Sequence, residues 1–225
     1  MFIAPIEKDG DLIQMELLAE TLVTSKKPIS PFAMKIKSEE VELPDLFPLK
    51  HTISIPKVNI YQKRSVYRKC FNSRDNNPSL HIPLFLLAID SIQHGNPHTI
   101  LLHFSPLDVT NIFETEVTTD QYESRAMLKA FSVAATRAQS LYGMKVKTLE
   151  KPIVVQAVQF NGSKIQFGIF QLNTLDLDGN KGTKNYWFRK PEMELYQECC
   201  YKEGRPAMTG YNFDVLRYMS VFYNS

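Results

Sequence analysis

The run Asp176-Leu-Asp178-Gly-Asn180-Lys-Gly182 comes closest, by residue type and spacing, to a site that could do chemistry. Oxygen-bearing side chains at alternate positions are what a calcium loop needs. In a twelve-residue register from Asp176, however, the sixth position is Lys181, where a glycine must turn the chain. The twelfth is Trp187, where a bidentate glutamate must close the site. The spacing therefore argues against calcium. The plain reading is a Gly/Asn/Asp loop after a strand. The sharper one is phosphate contact, with Gly179 and Gly182 freeing backbone N–H groups beside Lys181 and Lys184.

Other groups that carry chemistry do not assemble. His51, His81, His94, His98 and His103 include one pair four apart, but Gly95 and Pro97 between them prevent the helix that would align them. Neither a carboxylate nor a cysteine nearby completes a zinc set. Cys70 stands alone and Cys199-Cys200 are adjacent, so there is neither zinc spacing nor a secreted disulfide set, and a reducing compartment is expected. The chain has no G-x-S-x-G, no glycine-rich phosphate loop and no H-E-x-x-H, and its 9 glycines leave little material for a nucleotide cradle. The residues imply no enzyme, no metal and no cofactor.

Charge is informative through its distribution. The net charge of the 225 residues is +2. Residues 57–74 nevertheless hold six cations and no acid: Lys57, Lys63, Arg64, Arg68, Lys69 and Arg74, interleaved with Tyr61, Tyr67 and Phe71. Lys and Arg release counterions on meeting phosphate, and exposed rings stack on unpaired bases. Residues 107–124 reverse the balance, with Asp108, Glu114, Glu116, Asp120 and Glu123 and no Lys or Arg. One patch facing a polyanion and one facing water or protein is the expectation, against two merely solvated faces. The basic run carries no RNA-binding module signature.

The elements that must position these groups are clearest after residue 110. Thr118 caps a helix over 118–142, with Gln121 completing a capping box and Gly143 closing it. Leu128, Phe131, Ala135, Ala138 and Tyr142 form an apolar stripe. Ala126, Ala130, Ala134 and Ala138 form a second line that permits close approach, expected to dock a partner protein unless the terminal helix does so. Runs 153–160 and 164–172 flank Asn161-Gly162 and predict a hairpin with a type I′ turn. Residues 185–189 add a strand, and residues 213–223 an amphipathic terminal helix with Phe213, Leu216, Tyr218, Met219 and Phe222 as its apolar set. Before residue 110, the spacing of Leu12, Ile13, Met15, Leu18, Ala19 and Leu22 predicts a helix over 11–22. Pro28, Pro31, Pro44, Pro48 and Pro56 then impose extended segments at 34–36 and 52–55. Residues 80–92 read as a short buried element, 94–98 as a turn and 99–104 as a strand ended by Pro106.

The expected fold is α+β: an antiparallel hairpin or sheet packed by a long helix and a C-terminal helix. Residues 111–225 form the compact domain, and 1–110 an extended, proline-punctuated half with short elements. At 44% hydrophobic and 22% charged residues the chain is not of disordered composition. Its longest apolar run, 83–89, is far short of the roughly 20 residues a membrane span needs.

Several runs resemble one family: Ala138-Gln-Ser-Leu-Tyr-Gly143, Leu149-Glu-Lys-Pro-Ile-Val-Val-Gln-Ala-Val158, Phe170-Gln-Leu-Asn-Thr-Leu-Asp-Leu-Asp178 and Gly210-Tyr-Asn-Phe-Asp-Val-Leu-Arg-Tyr218. They are similar to the C-terminal part of the large-subunit mitochondrial ribosomal protein numbered thirty-seven, whose paralogue was once catalogued as small-subunit protein thirty. The resemblance covers residues 118–225 well. It implies a non-catalytic constituent of the mitochondrial large ribosomal subunit that lies on ribosomal RNA and on neighbouring proteins, including the paralogue as a heterodimer. Family members extend further at the N-terminus. The first residues here hold Glu7, Asp9 and Asp11, unlike an Arg-rich presequence, so a fragment or short form is expected. The candidate RNA contacts are Lys57, Lys63, Arg64, Arg68, Lys69, Arg74, Lys181 and Lys184. The alternatives are a protein–protein adaptor without RNA contact and, more remotely, an RNA-modifying enzyme.

Overall fold

Two apolar-faced hairpin strands at the middle of the chain organise the rest. The computed structural model describes residues 2–8, 11–17, 21–33, 47–49, 60–62, 67–69, 95–105, 109–111, 116–177 and 183–225. Three strands open the chain, β1 (Phe2–Lys8), β2 (Asp11–Leu17) and β3 (Thr21–Ser25), followed by the short β4 (Phe47–Leu49), β5 (Ile60–Gln62) and β6 (Tyr67–Lys69). Next come β7 (Asn96–His103), β8 (Val109–Asn111) and the long helix α1 (Thr119–Tyr142). After it follow β9 (Thr148–Phe160), β10 (Lys164–Thr174), β11 (Asn185–Arg189), β12 (Met193–Glu194), β13 (Glu198–Lys202), β14 (Arg205–Thr209) and helix α2 (Phe213–Asn224).

The main sheet runs β3-β7-β9-β10-β11-β4, with β12 on the end of β10, so it takes strands from both sides of residue 110. It is mixed rather than purely antiparallel. β7 pairs parallel with β9, Thr99 opposite Gln156 through His103 opposite Phe160, and α1 lies in the crossover between them. A parallel pair requires such a long connection, which the strand and helix patterns read separately do not reveal.

Each face of this sheet carries a helix. Ile153, Val155 and Ala157 of β9 and Phe170 and Leu172 of β10 meet α1 on one side. Val158, Ile165 and Phe167 meet Val215 and Phe222 of α2 on the other. The alternation of the two strands assigns the faces, since side chains two apart share a side. Gly168 has a packing role, because a Cβ there would overlap the Trp187 ring, which crosses from β11.

α1 begins and ends as its sequence dictates. Thr118 and Gln121 form the reciprocal capping box, and the Gly143 N–H, at φ 89°, donates to the Gln139 carbonyl. Its alanine line is internal: Ala126, Ala130, Ala134 and Ala138 are at most 2% exposed. The same core takes in Ala4 and Ile6 of β1, and Gln139 Nε2 donates to the Pro5 carbonyl at 2.7 Å. The sheet β1-β2-β6 thus packs against α1 through β1. The four small side chains lie within the chain's own core. The expected docking of a partner on the alanine line is therefore corrected.

Three further expectations change. Residues 11–17 are strand, not helix; Ile13, Met15 and Leu17 also alternate with Gln14 and Glu16, and the register puts Lys8 opposite Asp11. Between that pair stand Asp9 and Gly10, a dipeptide strongly favoured in two-residue hairpins. Residues 96–98 belong to β7 rather than to a turn. Pro97 is tolerated because its pairing with β3 is irregular there and the parallel ladder to β9 starts only at Thr99. The β9–β10 turn has Gly162 and Ser163 at its centre, with positive φ at Gly162 alone (96°), as a type II′ turn asks, instead of the type I′ pattern. Asn161 serves the turn by accepting from the N–H groups of Ser163 (3.1 Å) and Lys164 (2.8 Å). The segments expected at 34–36, 52–55 and 80–92 lie outside the described residues.

Candidate functional site

The loop between β10 and β11, singled out by its sequence, is held at both ends by buried amides. Asn185 Oδ1 accepts from the N–H groups of Asn173 (2.8 Å) and Thr174 (2.9 Å), while its Nδ2 donates to the Thr174 carbonyl (2.9 Å). Asn173 Nδ2 donates to the Lys184 carbonyl at 2.6 Å and its Oδ1 accepts from Gln171 Nε2 at 3.0 Å. Gln171 also holds residues 32 and 33, its Oε1 accepting from both N–H groups and its Nε2 donating to the Ala33 carbonyl. Gln171, Asn173 and Asn185 are fully buried. At the loop's start, Thr174 Oγ1 donates to the Lys147 carbonyl and accepts from the Asp176 N–H, while Leu175 and Leu177 drop into the α1 core. Nearly every bond-forming atom of these amides is used, and each lost partner would leave a costly buried polar group.

Of the eight cations expected to meet RNA, the structure places three. Arg68 and Lys69 lie on β6, opposite Gln14 and Ile13 of β2. Lys184 is half-buried at the end of the clamped loop, beside β11. The strands β6 and β11 belong to different sheets. Lys57, Lys63, Arg64, Arg74 and Lys181 lie outside the described residues. From the acidic stretch, Glu123 pairs with Arg189 across the sheet edge, so part of that charge is used internally.

Two polar networks were not legible. Arg125, on the buried side of α1, donates to Gln159 Oε1 (2.5 Å) and to the His103 carbonyl (3.0 Å). His98 has its ring nitrogens 2.8 Å from Thr99 Oγ1 and 3.0 Å from the Ser225 carbonyl, and Thr99 and Ser225 both bond Gln156. This chain of contacts fastens the end of α2 to β7 and β9. The only signal was a polar residue in an apolar strand, at Gln156 and at Gln159. Beside Gln159, burial first and the Glu192 charge second hold the Tyr122 phenol well above its ordinary value. The Cys200 thiol is raised by partial desolvation and then by Glu198, which keeps it in its unreactive form. Among the described residues, no group of three or more His, Cys, Asp or Glu could hold a metal, and no helix is long and apolar enough to cross a membrane.

No protein-family model matches the chain. It is 31% identical over 194 residues to large ribosomal subunit protein mL37 of Gallus gallus, a match covering 85% of this chain and 40% of that protein. The Bos taurus protein of the same name is 30% identical over 197 residues, and the Rattus norvegicus protein 29% over 196. Over most of its own length the chain is similar to mL37 proteins. It spans 40% of the length of these mL37 relatives. The runs that resembled this family map onto the end of α1, onto β9, onto β10 with its clamped loop and onto the start of α2. In this chain the Gln-Leu-Asn-Thr run is thus a structural clamp: it fixes a loop and leaves none of its own amides for a ligand.

Proposed function

We propose that this chain is a structural constituent of the mitochondrial large ribosomal subunit, acting without catalysis. Its work is to fill space between ribosomal RNA and neighbouring proteins, a paralogous subunit among them. The observation that carries this reading is the similarity to mL37 over 85% of the chain. The internal architecture supports it, because the buried amides of Gln156, Gln159, Gln171, Asn173 and Asn185 are spent on holding strands, loops and the chain end. RNA contact is assigned to the cations of residues 57–74, together with Lys181 and Lys184 at the clamped loop. Six positive charges without an acid in that stretch are a phosphate-binding composition.

The test is the salt dependence of RNA binding. Replacing Lys63, Arg64, Arg68 and Lys69 by glutamine should flatten log K against log salt by about 0.7–0.9 per lost phosphate contact. An unchanged slope rejects the assignment. Complexes that survive RNase intact would instead favour an adaptor held by protein contacts alone.

A further inference from the structure

α2 is apolar on two sides. Val215 and Phe222 are buried against the sheet, but Phe213 (72% exposed), Leu216 (62%) and Tyr223 (77%) form a second stripe facing outward. Their spacing of three and seven residues puts them along one line of the helix. Single exposed apolar residues are ordinary, whereas an aligned set on a short terminal helix is the form of a docking face.

The stripe opens at its first residue into a cleft of about 420 Å³. Glu194, Tyr196, Tyr211, Phe213 and Asp214 line it, with no cation among the lining residues. Lys164, opposite Glu194 in the β10–β12 register, pairs with Glu192 at 2.8 Å, and Arg217 pairs with Asp214 at 3.3 Å. The second pair is highly exposed and adds little, so Asp214 can exchange its partner. Two carboxylates among three aromatic rings suit a guanidinium or ammonium group, which gains charge-assisted bonds and ring contact together. The same carboxylates repel phosphate.

We propose that the outer face of α2 and this cleft dock a neighbouring protein through an apolar segment bearing an arginine or lysine, with the cation seated between Glu194 and Asp214. The face is a protein contact, separate from the RNA-facing cations. It holds whichever large assembly the chain joins.

The experiment places photo-reactive benzoylphenylalanine at Leu216, and separately at Tyr223, in the chain assembled in its native complex. Both positions are exposed, so folding is unaffected. Irradiation should yield an adduct with a peptide of another protein carrying Arg or Lys beside its apolar residues. The double variant Glu194→Gln/Asp214→Asn should cut the yield about tenfold, the size of one charged hydrogen bond. An adduct with RNA or with a second copy of this chain, no adduct at either position, or a yield indifferent to the double variant would overturn the proposal.

Discussion

The β10–β11 clamp and the C-terminal projection sit next to each other in sequence but satisfy opposite needs. In the clamp, Gln171, Asn173 and Asn185 are buried and bonded to the chain's own backbone. In the projection, β13 and β14 form a two-stranded sheet that no other described strand joins. Cys199 and Tyr201 face the same way as their cross-strand neighbours Met208 and Pro206, and Tyr201 is 79% exposed. A lone two-stranded hairpin is marginal in water. Its turn is well made, with positive φ at both Glu203 (52°) and Gly204 (75°), so the turn shapes the hairpin while its apolar side stays uncovered. The contrast teaches which surfaces serve the fold and which the fold leaves exposed.

The largest expected effect belongs to the clamp. Asn185→Ala strands two N–H groups and a carbonyl and should cost about 3–5 kcal/mol in urea unfolding. A cost below about 1 kcal/mol would erase the distinction drawn here. Gly168→Ala forces a methyl into the Trp187 ring and should cost about 2–3 kcal/mol, read as a lower midpoint at unchanged m-value. Ala134→Leu overpacks the α1 core by about 1–3 kcal/mol, and it should lower thermal stability rather than act only on partner association.

A pH experiment sharpens the same point near Tyr122. Its folded-state pKa is raised, so its contribution is intact below pH 10 and is lost as pH climbs above it, where the unfolded chain ionises first. Tyr122→Phe should remove up to about 1.4 kcal/mol per pH unit of that alkaline decline, measured by urea melts from neutral to strongly alkaline pH. Smallest of all, Tyr201→Ser and Leu216→Ser should change stability by no more than about 0.5 kcal/mol. A large loss would mean the projection belongs to the core.

Local chemistry was readable in the sequence wherever one segment decides it. The capping box of Thr118 and Gln121, the hairpin around Gly162, the strand at 185–189 and the helix at 213–224 all depend on near neighbours. Non-local facts were not readable. Nothing in residues 96–103 announces that they lie parallel to β9, and nothing in the alanine line of α1 says that the chain's own core buries it. At residues 11–17 two periodicities fitted the same apolar residues, and pairing with β1 chose the strand. The terminal helix was expected with one apolar set, whereas Phe213 and Leu216 point away from Phe222, because a sequence shows the apolar residues but not how many faces they serve. The candidate loop was found by composition, while the amides that clamp it passed as ordinary strand residues.

The most direct test of the central claim is sedimentation of the tagged chain from mitochondrial lysate on a sucrose gradient. Migration with the large ribosomal subunit is the predicted result. A chain that stays in the light fractions while the subunit sediments normally would contradict it.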